Sequence, residues 1–195
     1  MARREQENKV LFGFSDLYIG TYSVNDETGE VTMGQPYHQT GAVGFSPEGQ
    51  GNNYTFYADN VSYFSNYTTG NYEGDLVVAR FDDEFRKLFL GEIELEDGGV
   101  AERKNAVKPN IYMMYETQGD KGPERVLWYN GTLGFINKET ATIEDEVEVQ
   151  TETISVTLSG DNKTGMTKVT YGKDKDGFAT LFTNPPTPKL PTASE

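Results

Sequence analysis

Alternation of apolar and polar residues, interrupted by clusters of Gly, Asn and Asp, recurs along most of the 195-residue chain. Successive side chains on an extended strand point to opposite faces, so a period of two predicts half-buried β-structure. Leu17 to Val24 and Glu30 to Met33 alternate on either side of Asn25 to Gly29, a loop whose length and composition predict a hairpin. Val126 to Tyr129 and Thr132 to Ile136 flank Asn130-Gly131, a dipeptide that tolerates positive φ and predicts a type I′ turn and a second hairpin. A third hairpin is expected to join Glu146–Leu158 to Met166–Tyr171 through Gly160 to Gly165, and Tyr54 to Tyr67 reads as further strand.

One segment has a different period. Phe81, Phe85, Leu88 and Phe89 recur at helical spacing, Asp82, Asp83 and Glu84 occupy the first turn, Arg86 and Lys87 follow, and Gly91 stands where a helix ends. This predicts one amphipathic helix of about ten residues whose aromatic stripe covers an open sheet face. A second short helix is expected at Phe178 to Phe182. The fold class read from these elements is mainly β, a β-sandwich or partial barrel with one flanking short α-helix, at the margin of α+β. The organisation expected is an N-terminal arm over 1–9, a single β domain over 10–183 and a Pro-rich C-terminal arm over 184–195. Asn184, Pro185, Pro186, Pro188 and Pro191 lie in that arm, where prolines favour an extended segment with few backbone donors, either lying along a neighbour or forming a loose tail.

Charge narrows the function. The chain has 17 Lys+Arg against 31 Asp+Glu, a net charge of −14. Phosphate-gripping domains concentrate cations, whereas this field repels DNA. The hydrophobic fraction of 35% implies a thin core, while 12% aromatic residues argue against disorder. No run approaches the ~18 apolar residues of a membrane span, and charged Met1 to Lys9 lacks the apolar stretch of a signal peptide, so the chain is expected to be made and kept in a cytoplasm, or released by lysis. The Asn-x-Ser/Thr triplets at Asn53, Asn60, Asn66, Asn130 and Asn162 therefore read as polar strands and turns. The absence of cysteine removes disulfides, thiolate zinc sites and cysteine nucleophiles.

Motifs for chemistry are sparse. His38 is the sole histidine, so two-histidine metal sites are ruled out, and no Gly-x-Ser-x-Gly elbow accompanies it. Gly49-Gln50-Gly51 lacks the third glycine of a dinucleotide loop, and Asp174-Lys175-Asp176-Gly177 lacks the flanking acids of a calcium loop. No cofactor or metal is expected. Carboxylates do alternate at Glu92, Glu94 and Glu96 and again at Glu144, Glu146, Glu148 and Glu152. On strands these would form acidic faces, either ordinary solvated surface or a wall facing a polyanion that must pass without sticking.

The strings Asn8 to Gly20, Gln35 to Pro47, Phe56 to Asn60, Tyr72 to Leu76, Phe81 to Phe85, Asn105 to Glu116, Gln150 to Thr153 and Leu181 to Pro186 together resemble the phi13-type major tail protein family of long-tailed bacteriophages. The similarity spans roughly Asn8 to Pro191; Glu48 to Asn52, Asp120 to Glu124 and Thr192 to Glu195 have no counterpart in it. The resemblance implies a non-enzymatic, tail-tube-like structural subunit. Six copies would join their sheets into a ring, and rings would stack into a hollow tube around a tape-measure protein. Tail-tip, distal-tail and tail-terminator proteins would be its other partners, the virion its location and the host cytoplasm its place of assembly. Double-stranded DNA would pass through without specific binding, along an acidic lumen, and the Pro-rich arm would bridge rings. Two other classes stay open: a tail-tip or adhesin-type carbohydrate-binding β-sandwich, and a glycoside hydrolase with a carboxylate pair in a cleft.

Overall fold

In the computed structural model, residues 8–138, 140 and 149–191 are described. Among them the chain forms β1 (Leu11–Val24), β2 (Val31–Met33), β3 (Tyr37–Gln39), β4 (Ala42–Ala58), β5 (Val61–Val78), α1 (Asp83–Leu90), β6 (Ile93–Glu94), β7 (Val100–Ala101), β8 (Ile111–Gly119), β9 (Glu124–Lys138), β10 (Glu152–Leu158), β11 (Lys168–Gly172) and α2 (Asp176–Thr180). The fold is mainly β. One antiparallel sheet runs β2-β1-β8-β9-β10-β5-β4, with β3 also on β1 and β11 also on β9, while β6 and β7 pair separately.

β8 and β9 lie mid-sheet and are apolar on both faces, so the alternation expected of half-buried strands gives way here to continuous apolar runs. Ile111, Met113, Tyr115, Val126 and Trp128 face one core, and Tyr112, Met114, Leu127 and Tyr129 face the other. The first core also takes Leu17 and Ile19 from β1, Leu76 and Val78 from β5 and Ile154, Val156 and Leu158 from β10. The sheet curls round it: Phe45 on terminal strand β4 meets Tyr115 on β8 with ring centroids 6.1 Å apart and Trp128 on β9 at 6.4 Å, reaching across the intervening strands. The second core is covered by Val31 and Met33 of β2, Met166, and Leu181 and Phe182 near the C-terminus. Each such large side chain contributes about 1.5–3 kcal/mol when fully buried.

Helix α1 closes the first core. Asp82 caps its N-terminus by accepting from the Phe85 N–H, and Gly91 ends it in the left-handed region at φ 68°. Phe81, Phe85, Phe89 and Leu90 are buried, but Leu88 is 48% exposed and is not part of the stripe. The short helix turns Leu90 inward instead. The second helix is shifted two residues towards the N-terminus from the stretch expected.

The first expected hairpin is present, with Val24 opposite Val31. The second is not. β9 runs unbroken through Asn130-Gly131, and Asn130 takes φ 44° as an extra residue opposite β8, whose Ile111 and Met113 face Gly131 and Trp128. This bulge reverses the parity of the strand: Trp128 faces the first core before it, and Leu133 after it. Asn130 is held by donating to the Gly160 carbonyl at 2.8 Å and accepting from Asn110 Nδ2 at 3.0 Å, while its own carbonyl accepts from Ser159 N at 3.0 Å. Tolerance of positive φ is the same property in a turn and in a bulge, and the pairing partners decide between them.

The third hairpin is also replaced. β10 and β11 do not pair with each other but follow one another along the same edge of β9, β10 on Gly131–Lys138 and β11 on Glu124–Trp128. The loop between them turns on Asp161, whose carboxylate accepts from the Thr164 N–H and hydroxyl at 2.7 Å and from the Tyr22 hydroxyl at 2.8 Å. The two-residue turn with both φ positive occurs instead at Asp59-Asn60, within the stretch read as plain strand, joining β4 to β5.

Replacing Asn130 with Ala removes two hydrogen bonds and the local polar side chain that lets Asn tolerate a positive φ, and is expected to cost about 2–4 kcal/mol. Asn130→Gly keeps the backbone conformation and should cost about half as much. Urea midpoints of the two variants measure this difference.

Candidate functional site

Among the described residues, the acidic positions do not share one surface. Glu152 has the strand parity of Ile154, Val156 and Leu158, which turns it inward, and it is only 3% exposed. A buried carboxylate needs partners. It accepts from the Phe81 N–H at 2.7 Å, with Arg86 at 3.5 Å and Lys138 at 3.6 Å. Glu92 is buried too, 3.9 Å from the other arm of Arg86. These two acids therefore tie α1 to the ends of β9 and β10 rather than presenting charge to solvent. Glu94 is exposed and bonded to Lys87 at 2.8 Å, which holds its carboxyl below the usual range, and Glu96 is exposed. Glu144, Glu146 and Glu148 lie outside the described residues.

The proline-rich segment begins by lying against its own chain. Tyr129 donates to the Pro186 carbonyl at 3.0 Å, and Pro188 is buried, whereas Asn184, Lys189, Leu190 and Pro191 are exposed. Upstream, Arg125 lies between the rings of Phe178 and Phe182 at 4.2 and 4.1 Å, and bonds to Glu116 at 2.9 Å. Phe182 also stacks on Tyr18, which stacks in turn on the exposed ring of His38. At the other end, Asn8 donates to Glu124 Oε1 at 2.7 Å.

The most conspicuous surface was not singled out from the sequence. β10 covers β5 only from Tyr72 to Val78, so the rest of the β4–β5 hairpin projects as a two-stranded ribbon. At about 3.3 Å per residue, Val61 to Gly70 extends roughly 30 Å beyond that last strand pair. Phe56 faces Phe64 in its register, with Tyr54 opposite Asn66 and Ala58 opposite Val61 on the same side. Thr55 opposite Ser65 and Asn53 opposite Tyr67 occupy the other side. Tyr63 is 76% exposed and Tyr57 66%. Between Gly49 and Tyr72 the sequence has one charged residue, Asp59, in a chain that is 25% charged. That local absence of charge was the available signal. It was obscured because alternation alone does not say whether an apolar face meets this chain or another.

Among the described residues, strand edges are left unpaired at both ends of the sheet: β4 pairs with β5 alone, and β1 is flanked by β2 and β3 at Val24–Tyr22 and Ile19–Leu17 but has no strand paired on that side along Leu11 to Asp16, where Leu11 and Phe12 are exposed. Open edges invite another strand.

Among the described residues no group of His, Asp or Glu is arranged to hold a metal ion, and no helix is long and apolar enough to cross a membrane. No family model matches the chain, and no curated protein matches it in sequence. Among solved structures it is similar to a chain of the sheath–tube complex of an extracellular contractile injection system, PVC, in its extended state. The identity is 10% and the TM-score 0.47, over 80% of this chain and 88% of that one. At that identity and score the likeness assigns no role.

Removing the Glu152 carboxylate should leave the buried Phe81 N–H without its acceptor, while half-buried Arg86 keeps Glu92 and reaches solvent. Glu152→Ala is expected to cost about 2 kcal/mol, because a buried N–H left without an acceptor has lost its water and gained nothing in return. Glu94→Ala, on the surface, should leave the thermal midpoint unchanged. Thermal unfolding of the two variants side by side checks the contrast.

Proposed function

We propose that this chain is the repeating subunit of a self-assembling hollow tube of the bacteriophage tail kind, acting as a passive conduit rather than an enzyme. The observation that carries the proposal is the β4–β5 ribbon. Two strands alone are marginally stable in water, and this pair exposes Tyr54, Phe56, Val61 and Phe64 on one side with little charge to keep it solvated. A second copy covering the ribbon completes its burial. Edges of β4 and of the first half of β1 that are unpaired among the described residues supply two different surfaces, and a contact between unlike surfaces propagates into rings or filaments instead of stopping at a dimer.

The resemblance to phi13-type major tail proteins selects a tube from among such assemblies. In this reading hexameric rings stack around a tape-measure protein, tail-tip and terminator proteins close the two ends, and double-stranded DNA passes without specific contact. The net charge of −14 suits a lumen that repels phosphate. Glu94 and Glu96, with Glu144, Glu146 and Glu148, are proposed as the lumen-facing acids, while Glu92 and Glu152 serve the subunit's own interior. The inter-ring part of the C-terminal arm is proposed to start at Lys189, beyond buried Pro188.

Phe56→Asp combined with Phe64→Asp should leave the subunit folded, because the ribbon lies outside both cores, and should raise the concentration needed for assembly at least about 100-fold. Negative-stain electron microscopy of the concentrated protein, with mass in solution, reads the outcome. Tubes formed by the double variant as readily as by the unaltered chain would remove the ribbon from the interface. Persistent monomers of the unaltered chain that bind glycans would favour a carbohydrate-binding module. Deleting 189–195 should preserve the thermal midpoint and shorten the tubes; full-length tubes would take the arm out of ring stacking.

A further inference from the structure

A second surface stands out by its charge. Arg86, Arg103, Lys104, Lys108 and Lys138 line a cleft of about 230 Å³ beside the C-terminal end of α1, together with Glu92 and Glu102. Five of the 17 basic residues of a chain at −14 gather there. Glu152 and Glu92 account for Arg86, and Glu152 for Lys138. Arg103 reaches the Gly91 carbonyl at 3.4 Å, where a cation suits the negative end of the helix. Lys108 sits on backbone carbonyls of β9, including Leu133 at 3.5 Å, with its ammonium 4.3 Å from the Phe135 ring centroid. It has no carboxylate partner among the described residues, and burial lowers its pKa. Lys104 is exposed and has no ion-pair partner among them either. Among the described residues the cleft sets these five cations against Glu92, Glu102 and Glu152, an excess of positive charge.

The same chain carries a protrusion of matching sign. The β1–β2 turn places Asp26, Glu27 and Glu30 in solvent, none of them ion-paired among the described residues. Lys163 approaches this turn near Gly29, so three carboxylates stand against one ammonium. The turn is stiff: Asn25 Oδ1 accepts from the N–H groups of Glu27 at 2.9 Å and Thr28 at 3.0 Å, and the Asn25 carbonyl accepts from Gly29 at 2.8 Å. A preformed turn loses little freedom on docking.

We propose that the acidic β1–β2 turn of one copy docks into the cationic cleft beside α1 of the next. This rests on the self-assembly reading and adds to it a polar contact separate from the ribbon. Because the turn and the cleft are different surfaces, the contact is head-to-tail and compatible with continued growth. Long-range attraction between them sets partner orientation and rate of encounter.

A charge exchange tests it. Lys104→Glu alone, and Asp26→Lys with Glu27→Lys alone, should each raise the concentration required for assembly about 10-fold at low salt, and added salt should narrow the difference. Combining the three substitutions should restore assembly towards that of the unaltered chain. Urea midpoints confirm that every variant is folded, since none of these side chains is buried. Two results overturn the contact while leaving the tube reading intact: single-site variants that assemble like the unaltered chain, or a combined variant no better than either parent. An unaltered chain that forms no ordered assembly at any concentration overturns both.

Discussion

A strand buried on both faces must keep both sets of side chains apolar and pair its backbone groups on both edges, and the first half of β9, up to Gly131, is where this protein meets that constraint. Its leading half lies between β8 and β11, and its trailing half is paired with β10. The bulge at Asn130 joins the halves. Without the extra residue, Trp128 and Leu133 would face opposite sides of the sheet, and one of the two cores would lose a large side chain. The Asn130 side chain also anchors the β10–β11 loop, so the first core, the second core and that loop depend on one backbone irregularity.

Burial elsewhere is spent unevenly. The concave side of the sheet is filled by aromatic residues and closed by α1, with Glu152 tying the helix to the β9 and β10 ends through Phe81 and Arg86. Beyond Tyr72 the same sheet runs out as a ribbon with no core of its own. That contrast gives the tube proposal its physical content. Among the described residues the fold is complete around β8 and β9, and the β4–β5 ribbon is left uncovered. The clustering of cations beside α1, against an acidic turn at the far end of β1, places polar complementarity on a second part of the surface.

Local patterns were legible in proportion to how local their causes are. The helix at Asp83–Leu90 followed from phenylalanine spacing, its acidic first turn and Gly91, all of which act within a few residues. The Asn25–Gly29 hairpin followed from short-range turn chemistry. Asn130-Gly131 was misread because positive φ serves turns and bulges equally, and the choice rests on β8, β10 and β11, strands distant in sequence. Alternating glutamates suggested an exposed acidic face at Glu92 and Glu152, but alternation defines only a side of a strand, and packing against Arg86 made that side interior.

By itself the sequence determined a mainly-β chain with one capped amphipathic helix and a strong negative charge, because residue preferences, period and composition are properties of neighbouring positions. Tertiary structure alone decided which apolar faces meet within the chain and which, among the described residues, stay exposed. It also decided that β10 and β11 share one edge of β9, and that five cations converge beside α1. Those outcomes depend on contacts between segments tens of residues apart, whose energies no local window contains.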